Sequence, residues 1–300
     1  MSVDATRSDL FKTERMRRRR ITNRLVEAAA TVAALLAVAV LVIVIASVAK
    51  RGGGAISWDF LTKTPVINTG FGEPQPSGIA NAIIGTAIIV GIAVLMALPV
   101  GVLTAIYLNE LAPKRVSAVL SLALDVLNGI PAIVIGIFVF VFLVVGHGQN
   151  AFKAAFALSI LMLPMVARST QEVLALVPNS LREASLALGA AKWRTTLSVV
   201  LPQTVGGIVT GATLATARVA GETAPLLFTS SLVSDEINTN PNEALETIPM
   251  FIFKSAEQAD PALHEQAWGA ALVLIAFILV TSLLARAFAN RSRRRLLGER

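Results

Sequence analysis

Residues 178–202 read PNSLREASLALGAAKWRTTLSVVLP, and they interrupt a chain that otherwise runs in long apolar stretches. Arg182, Glu183, Lys192 and Arg194 lie inside the interruption, and a charged side chain at the centre of a bilayer costs about 2.5–3.5 kcal/mol even on insertion scales. The stretch therefore belongs in water beside a membrane. Ser180–Ala190 is rich in alanine and leucine and predicts a short helix. Gly189 is placed to end that helix, and Pro202 to open the next one in its first turn. A helix, a turn and a second helix at the membrane surface suit the docking of a soluble partner. A small apolar face enters a groove and a few charges set the orientation.

The rest of the composition agrees with a membrane setting. The chain of 300 residues is 55% hydrophobic and only 15% charged, where soluble chains carry about 25% charged residues. Cysteine is absent and only His147 and His264 are present, which removes disulfides and thiol nucleophiles and leaves little for a histidine metal site. No Gly-x4-Gly-Lys-Ser/Thr occurs, so the sequence carries no phosphate-binding loop of its own. If ATP drives the protein, a separate subunit binds it; the chain itself is expected to need no cofactor and to be no enzyme. The net charge of +7 could suggest nucleic acid, but in a membrane chain the distribution of charge matters more than its sum, and no nucleic-acid partner is expected.

Six apolar segments are expected to span: 26–49, 79–108, 116–145, 154–177, 203–228 and 266–288. Each holds enough apolar residues to cross, about 20 being sufficient, and segments of this length satisfy their backbone internally as helices. The fold class is thus an all-α polytopic membrane protein: a basic N-terminal segment 1–25, a six-span domain 26–289 with a surface loop at 178–202, and a basic tail 290–300. The first span is too long for a signal-peptide core and is read as uncleaved. The arginine run 17–20 is read as an anchor facing anionic lipids. Pro99, Pro131 and Pro164 fall within spans, as do Gly129 and the Gly206-Gly207 pair, which favour bending or close packing. Between the last two spans lies a long acidic loop from Thr229 to Glu265, in which 248–253 is apolar enough to dip towards the membrane interface.

Counting Lys and Arg orients the chain. Twenty fall in the N-terminal segment, Lys114-Arg115, the middle loop with Arg168, and the C-terminal end; five fall on the opposite side, and Arg218 is left within a span. The positive-inside bias places both termini and the 178–202 loop in the cytoplasm.

Arg218 and Glu222 sit four residues apart in the fifth span, an interval that puts them on one helical face. A mutual ion pair that fixes packing is one reading. The other is that Arg218 faces a watered path and meets an anion there, since a guanidinium offers a planar fork of donors and stays charged at any relevant pH. Glu222 would then compete for Arg218 when the path is empty and keep anion binding weak enough for exit. Asp125 is a second intramembrane acid, with Asn128 and Gly129 near it; it is placed either on the path, paired with Arg218 or with a partner subunit, or close to the inner headgroups. Arg168 and Glu172 form a further i, i+4 interval at the cytoplasmic end of the fourth span.

Two resemblances bear on these residues. Glu183-Ala184-Ser185, then Gly189 six residues after the glutamate, then Leu201-Pro202, resembles the EAA loop of ABC-importer permeases, with Ser185 in place of an alanine and Val199 in place of an isoleucine. The resemblance implies that Glu183, Ala184, Ser185 and Gly189 belong to a loop seated on a cytoplasmic ATPase, in a type I ABC importer permease fold. Arg218-Val-Ala-Gly-Glu-Thr-Ala-Pro-Leu-Leu-Phe-Thr229, and within it the block Gly221–Leu226, is similar to the fifth-span signature of PstA-type permeases of phosphate importers. That family implies a partner permease of PstC type, two copies of a PstB-type ATPase, and an external PstS-type phosphate-binding protein, with Arg218 and Glu222 associated with transport. The likeness extends over about residues 75–290.

Two other classes compete. A permease of the same kind for molybdate, sulfate or phosphonate would differ little in outline, and the Gly221–Leu226 block speaks against it. A secondary transporter or channel would leave the 178–202 loop unexplained and would usually show inverted repeats, which are not seen. An intramembrane enzyme lacks a His-Glu-x-x-His or Ser/His constellation.

Overall fold

The computed structural model describes residues 3–65, 78–231 and 236–297, with side chains at 16 and from 18 to 287 within those ranges. Arg17, Asp235 and the side chains of the basic tail 290–300 lie outside what is described. The chain divides into two compact units, Met1–Arg51 and Gly52–Arg300. The first is one long helix, α1 (Val3–Gly52), whose apolar side chains are exposed from Ile21 to Ile45.

The second unit is all helical among the described residues: α2 (Trp58–Thr62), α3 (Ala80–Ile106), α4 (Lys114–Gly129), α5 (Ala132–Val139), α6 (Ala151–Ala175), α7 (Asn179–Ala187), α8 (Lys192–Thr195), α9 (Leu201–Ala220), α10 (Ala224–Thr229), α11 (Ile248–Glu257) and α12 (Pro261–Leu297). One π-helical turn, Tyr107–Leu111, extends α3; another, Phe140–Val144, extends α5; a third, Thr196–Val200, joins α8 to α9. Among the described residues five helical stretches are long and apolar enough to cross a membrane, Arg18–Gly52, Ala80–Leu111, Ala151–Ala175, Lys192–Ala220 and Pro261–Ala287, and the bent pair Lys114–Gly129 with Ala132–Val144 makes a sixth if it counts as one span. Leu95, Leu103, Val119, Phe142 and Leu214 point outward, an arrangement suited to hydrocarbon and hazardous in water.

Helix α6 is the central post. Leu158, Met162 and Val166 on it pack with Ile89, Ala93 and Ala97 of α3 and with Ala215 and Val219 of α9. The crossing of α6 and α9 is close because α9 carries glycine there. A Cβ on Gly207 would lie 2.5 Å from a Val173 methyl, and one on Gly211 would lie 2.3 Å from Ser169 Oγ. Small residues at crossings are how membrane helices gain van der Waals contact where lipid removes the hydrophobic drive. Thr213 and Thr216 hydroxyls donate to the carbonyls four residues back, Val209 and Ala212, so α9 presents few polar groups that need an outside partner.

The structure departs from the sequence reading in four places. The third span is not one helix: α4 and the stretch Ala132–Val144 meet at 95°. Pro131 has no N–H and bars the helical region to the residue before it, and Ile130 is accordingly extended, at φ −70 and ψ 129. Second, Pro202 does sit in the first turn of α9, but α8 and a π turn run directly into it, so the helical stretch already begins at Lys192 and continues to Ala220, the wider π turn accommodating the missing donor. Third, the fifth span stops at Ala220 instead of Phe228, and α10 follows as a separate short helix.

Fourth, the acidic loop folds back into the molecule. Ile248, Met250 and Phe251 of α11 are buried, and Glu246 keeps only 3% of its surface exposed. Asn81 Nδ2 donates to Glu246 Oε2 at 2.6 Å. Ser230 Oγ donates to Leu245 O and accepts from Leu245 N. Gly85 permits this approach, since a Cβ there would lie 1.9 Å from Glu246 O. Lys254 donates to Ser231 O, and burial pushes its ammonium below the ordinary lysine value, with the Glu246 charge pushing it back up.

Candidate functional site

One end of the bundle carries α7. Pro178 precedes it in an extended conformation, and Gly189 ends its turn at φ +83, a conformation that glycine adopts without strain. No residue of α7 is buried. Glu183, Ala184 and Gly189 are exposed and Ser185 half-buried, the Ser185 and Thr195 hydroxyls standing 2.9 Å apart. Leu188 is 90% exposed and Trp193 56%. The element foreseen at 178–202 is therefore a helix and turn on the surface with Leu188 and Trp193 facing outward. What the sequence reading missed is its attachment: Arg182 makes a two-pronged ion pair with Glu110, at 3.2 and 2.8 Å.

The second group lies at the end of α9. Gly221 stops the helix, and Pro225 sets the first turn of α10. A Cβ on Gly136 would lie 2.8 Å from Pro225 Cα, so α10 rests directly on α5. This contact brings the segment 221–223 up to the break between α4 and α5. Arg218 occupies the last turn of α9, where a cation complements the helix dipole. Glu222 is past the helix end, so the two do not share a helical face as their spacing suggested; the chain folds Glu222 back instead, with Glu222 N donating to Val219 O.

Arg218 Nε and Glu222 Oε1 are 3.9 Å apart. That is a loose pair, and 63% of the Arg218 side chain is exposed against 25% of Glu222. Both line a recess of about 40 Å³ with Asn128, Ile130 and Met165. The guanidinium thus faces an opening and is not sealed in a dry seam. A recess of this size takes a little water, and it sets a cation beside an amide and a carboxylate.

Asp125 does not join this group. It pairs with Arg168, which also donates to Ser121 O at 2.9 Å and to Gln171 Oε1 at 3.1 Å. The i, i+4 interval from Arg168 to Glu172 is superseded by this contact from α6 to α4. Leu127 and Asn128, just beyond Asp125 near the end of α4, line the recess.

The chain resembles known proteins in sequence and in fold. Residues 97–295 match the family model described as the binding-protein-dependent transport system inner membrane component. The chain is 40% identical over 231 residues to "Phosphate transport system permease protein PstA 1" of Mycobacterium tuberculosis (strain ATCC 25618 / H37Rv), covering 74% of each chain. It is 37% identical over 238 residues to "Phosphate transport system permease protein PstA" of Haemophilus influenzae, covering 78% of this chain and 82% of that one. Among solved structures, its fold resembles a chain of a bacterial alginate ABC transporter, with a TM-score of 0.58 at 16% identity over 88% of this chain and 93% of that one. It also resembles a chain of the inward-facing MetNI methionine ABC transporter, with a TM-score of 0.53 at 19% identity over 73% and 94%. An all-helical membrane fold like that of ABC-transporter permease chains, a family model matched over most of the sequence, and relatives near 40% identity lead to one conclusion: the chain belongs to the family of binding-protein-dependent transport system inner membrane components.

Proposed function

We propose that this chain is the PstA-type permease subunit of an ATP-driven inorganic phosphate importer in a bacterial plasma membrane. The observation that carries the reading is the placing of Arg218 and Glu222 at an open recess against the broken α4–α5 segment, in a chain whose relatives are named as phosphate permeases. A partner permease of PstC type completes the path, a PstB-type ATPase pair receives the exposed α7 helix with Glu183, Ala184, Ser185 and Gly189, and a PstS-type protein delivers phosphate from outside.

Six crossings fit the course of the chain. Ile106 at the end of α3 packs with Leu174 and Val177 at the end of α6, so α4 starts at that end of the bundle. Helix α6 has 25 residues and rises about 37 Å at 1.5 Å per residue. The chain reaches the far end of α6 through α4 and α5, which therefore act together as one broken span. A chain crossing six times would have its termini and α7 on one side, which the positive-inside bias makes the cytoplasmic side in this proposal. In this scheme ATP-driven closure of the ATPases displaces α7, the spans open outward, and phosphate passes Arg218 on the way in. Broken helices are tolerated at membrane depth where they line a watered cavity, and the 95° break between α4 and α5 has that role in this scheme.

The test is uptake of radiolabelled phosphate by the whole complex in proteoliposomes, with molybdate, sulfate and phosphonate as competitors. Phosphate uptake that requires ATP and resists a tenfold excess of the others supports the reading, the excess being about 1.4 kcal/mol of discrimination. Uptake of another oxyanion in preference to phosphate overturns the substrate assignment.

A further inference from the structure

Arg182 has a role that no motif assigns. Its guanidinium carries five N–H donors, and all five are engaged. Nε donates to Glu110 Oε2 at 3.2 Å, and Nη2 to Glu110 Oε1 at 2.8 Å and Leu174 O at 2.9 Å. Nη1 donates to Val177 O at 2.6 Å and to Asn179 Oδ1 at 3.2 Å. The side chains of Arg182 and Glu110 are 17% and 9% exposed. This is an unusual degree of fixation for a helix that buries no residue of its own.

The partners of Arg182 are all helix ends. Leu174 lies in the last turn of α6 and Val177 just beyond it, where carbonyls lack the regular intrahelical donors. Glu110 lies in the π turn that closes α3, where an acidic side chain works against the helix dipole and needs a cation to hold it. One side chain therefore joins α7 to the ends of both α3 and α6, while the Ser185–Thr195 contact joins it to the start of the α8–α9 helix. From Glu110, α3 runs back to Ile89, Ala93 and Ala97, which pack on Val219 and Ala215 of α9, next to Arg218.

We propose that the Glu110–Arg182 pair is the strut that carries displacement of α7 into α3, making both of them positioning residues for coupling between ATP hydrolysis and transport. The proposal rests on the permease reading above. A lysine at 182 would supply a point charge without the planar fork and would not span Glu110 and the α6 carbonyls together.

The experiment uses the complete complex in proteoliposomes and compares wild type with Arg182→Lys and Glu110→Gln. Three quantities are read: ATPase retained on purification, ATP hydrolysis, and phosphate taken up per ATP. The strut predicts that both variants keep the ATPase and hydrolyse ATP while uptake per ATP falls by about five-fold or more, the lower end of ordinary coupling energies. Because the chain has no cysteine, a Glu110→Cys/Arg182→Cys variant can be bridged by a bis-maleimide, and bridging is expected to restore uptake per ATP. Unchanged uptake per ATP in both single variants overturns the strut. Loss of the assembled complex in both, with no recovery on bridging, also overturns it and assigns the pair to folding. A wild-type chain that captures no ATPase overturns the permease reading itself, and the strut with it.

Discussion

Arg218 and Glu222 face each other across the end of α9 at 3.9 Å, with the guanidinium largely open and the carboxylate largely covered. The asymmetry has a physical meaning. A pair built to hold helices together brings its charges into contact and shields both, because an exposed pair contributes little, about 0–1 kcal/mol. Here the anion is held back in the fold and the cation is presented. On the proposed path an incoming oxyanion meets the exposed guanidinium of Arg218 with the Glu222 carboxylate beside it.

That arrangement sets an expectation for Glu222→Gln. Removing the carboxylate leaves Arg218 free to hold phosphate longer, so the Michaelis constant for uptake and the maximal rate should both fall, by about three-fold or more. Steady-state uptake measured over a range of loaded binding protein checks this. A variant with raised Michaelis constant and unchanged maximal rate would instead mark Glu222 as a positioning group.

Asp125 is expected to behave differently. Its partner is Arg168, and the pair ties α4 to α6 away from the recess. Asp125→Asn should lower stability by at most about 1 kcal/mol, the range for partly exposed pairs, and leave uptake within about two-fold of wild type. Thermal denaturation in detergent and the uptake assay separate the two effects.

Asn81→Ala tests the fold of the outer segment. Asn81 and Glu246 are both nearly buried, and Asn81 Nδ2 supplies a 2.6 Å donor to the carboxylate. Loss of a donor to a buried charged group costs about 1–3 kcal/mol. The variant should unfold at lower temperature while α7 still captures the ATPase.

Gly189→Ala tests the turn after α7. Nothing lies within 4 Å of a Cβ there, but φ is +83. The cost is therefore backbone strain alone, about 1–2 kcal/mol for an L residue in the left-handed region. Co-purification of the ATPase should weaken while the span region keeps its thermal stability.

How far the sequence carried these conclusions depends on the distance over which each interaction acts. The 178–202 element was legible because its determinants are local: charges between apolar runs, a glycine at the turn, alanines and leucines in the helix. Its attachment was not, since Glu110 lies 72 residues before Arg182 and nothing in the local pattern points there. Arg218 and Glu222 were legible as a charged pair in an apolar stretch, yet the helix end at Ala220 was not, although Gly221 and Pro225 mark it. The break in the third span was signalled by Gly129-x-Pro131 and was underweighted, because proline within a membrane helix often only bends it. Asp125 was offered Arg218 or a partner subunit as its cation, and position along the chain does not reveal that α6 brings Arg168 to it instead. The burial of Glu246 ran against the rule that acidic loops stay in water, and only the tertiary contacts with Asn81 and α11 account for it.

The central claim, that Arg218 serves the passage of phosphate, is tested most directly by phosphate uptake of the reconstituted complex carrying Arg218→Gln. The variant should assemble with its partners and hydrolyse ATP, and its uptake should fall about a hundred-fold or to background, as expected when a charge-assisted anion contact is lost from a path of low dielectric. Uptake equal to wild type from an equally assembled complex would contradict the account.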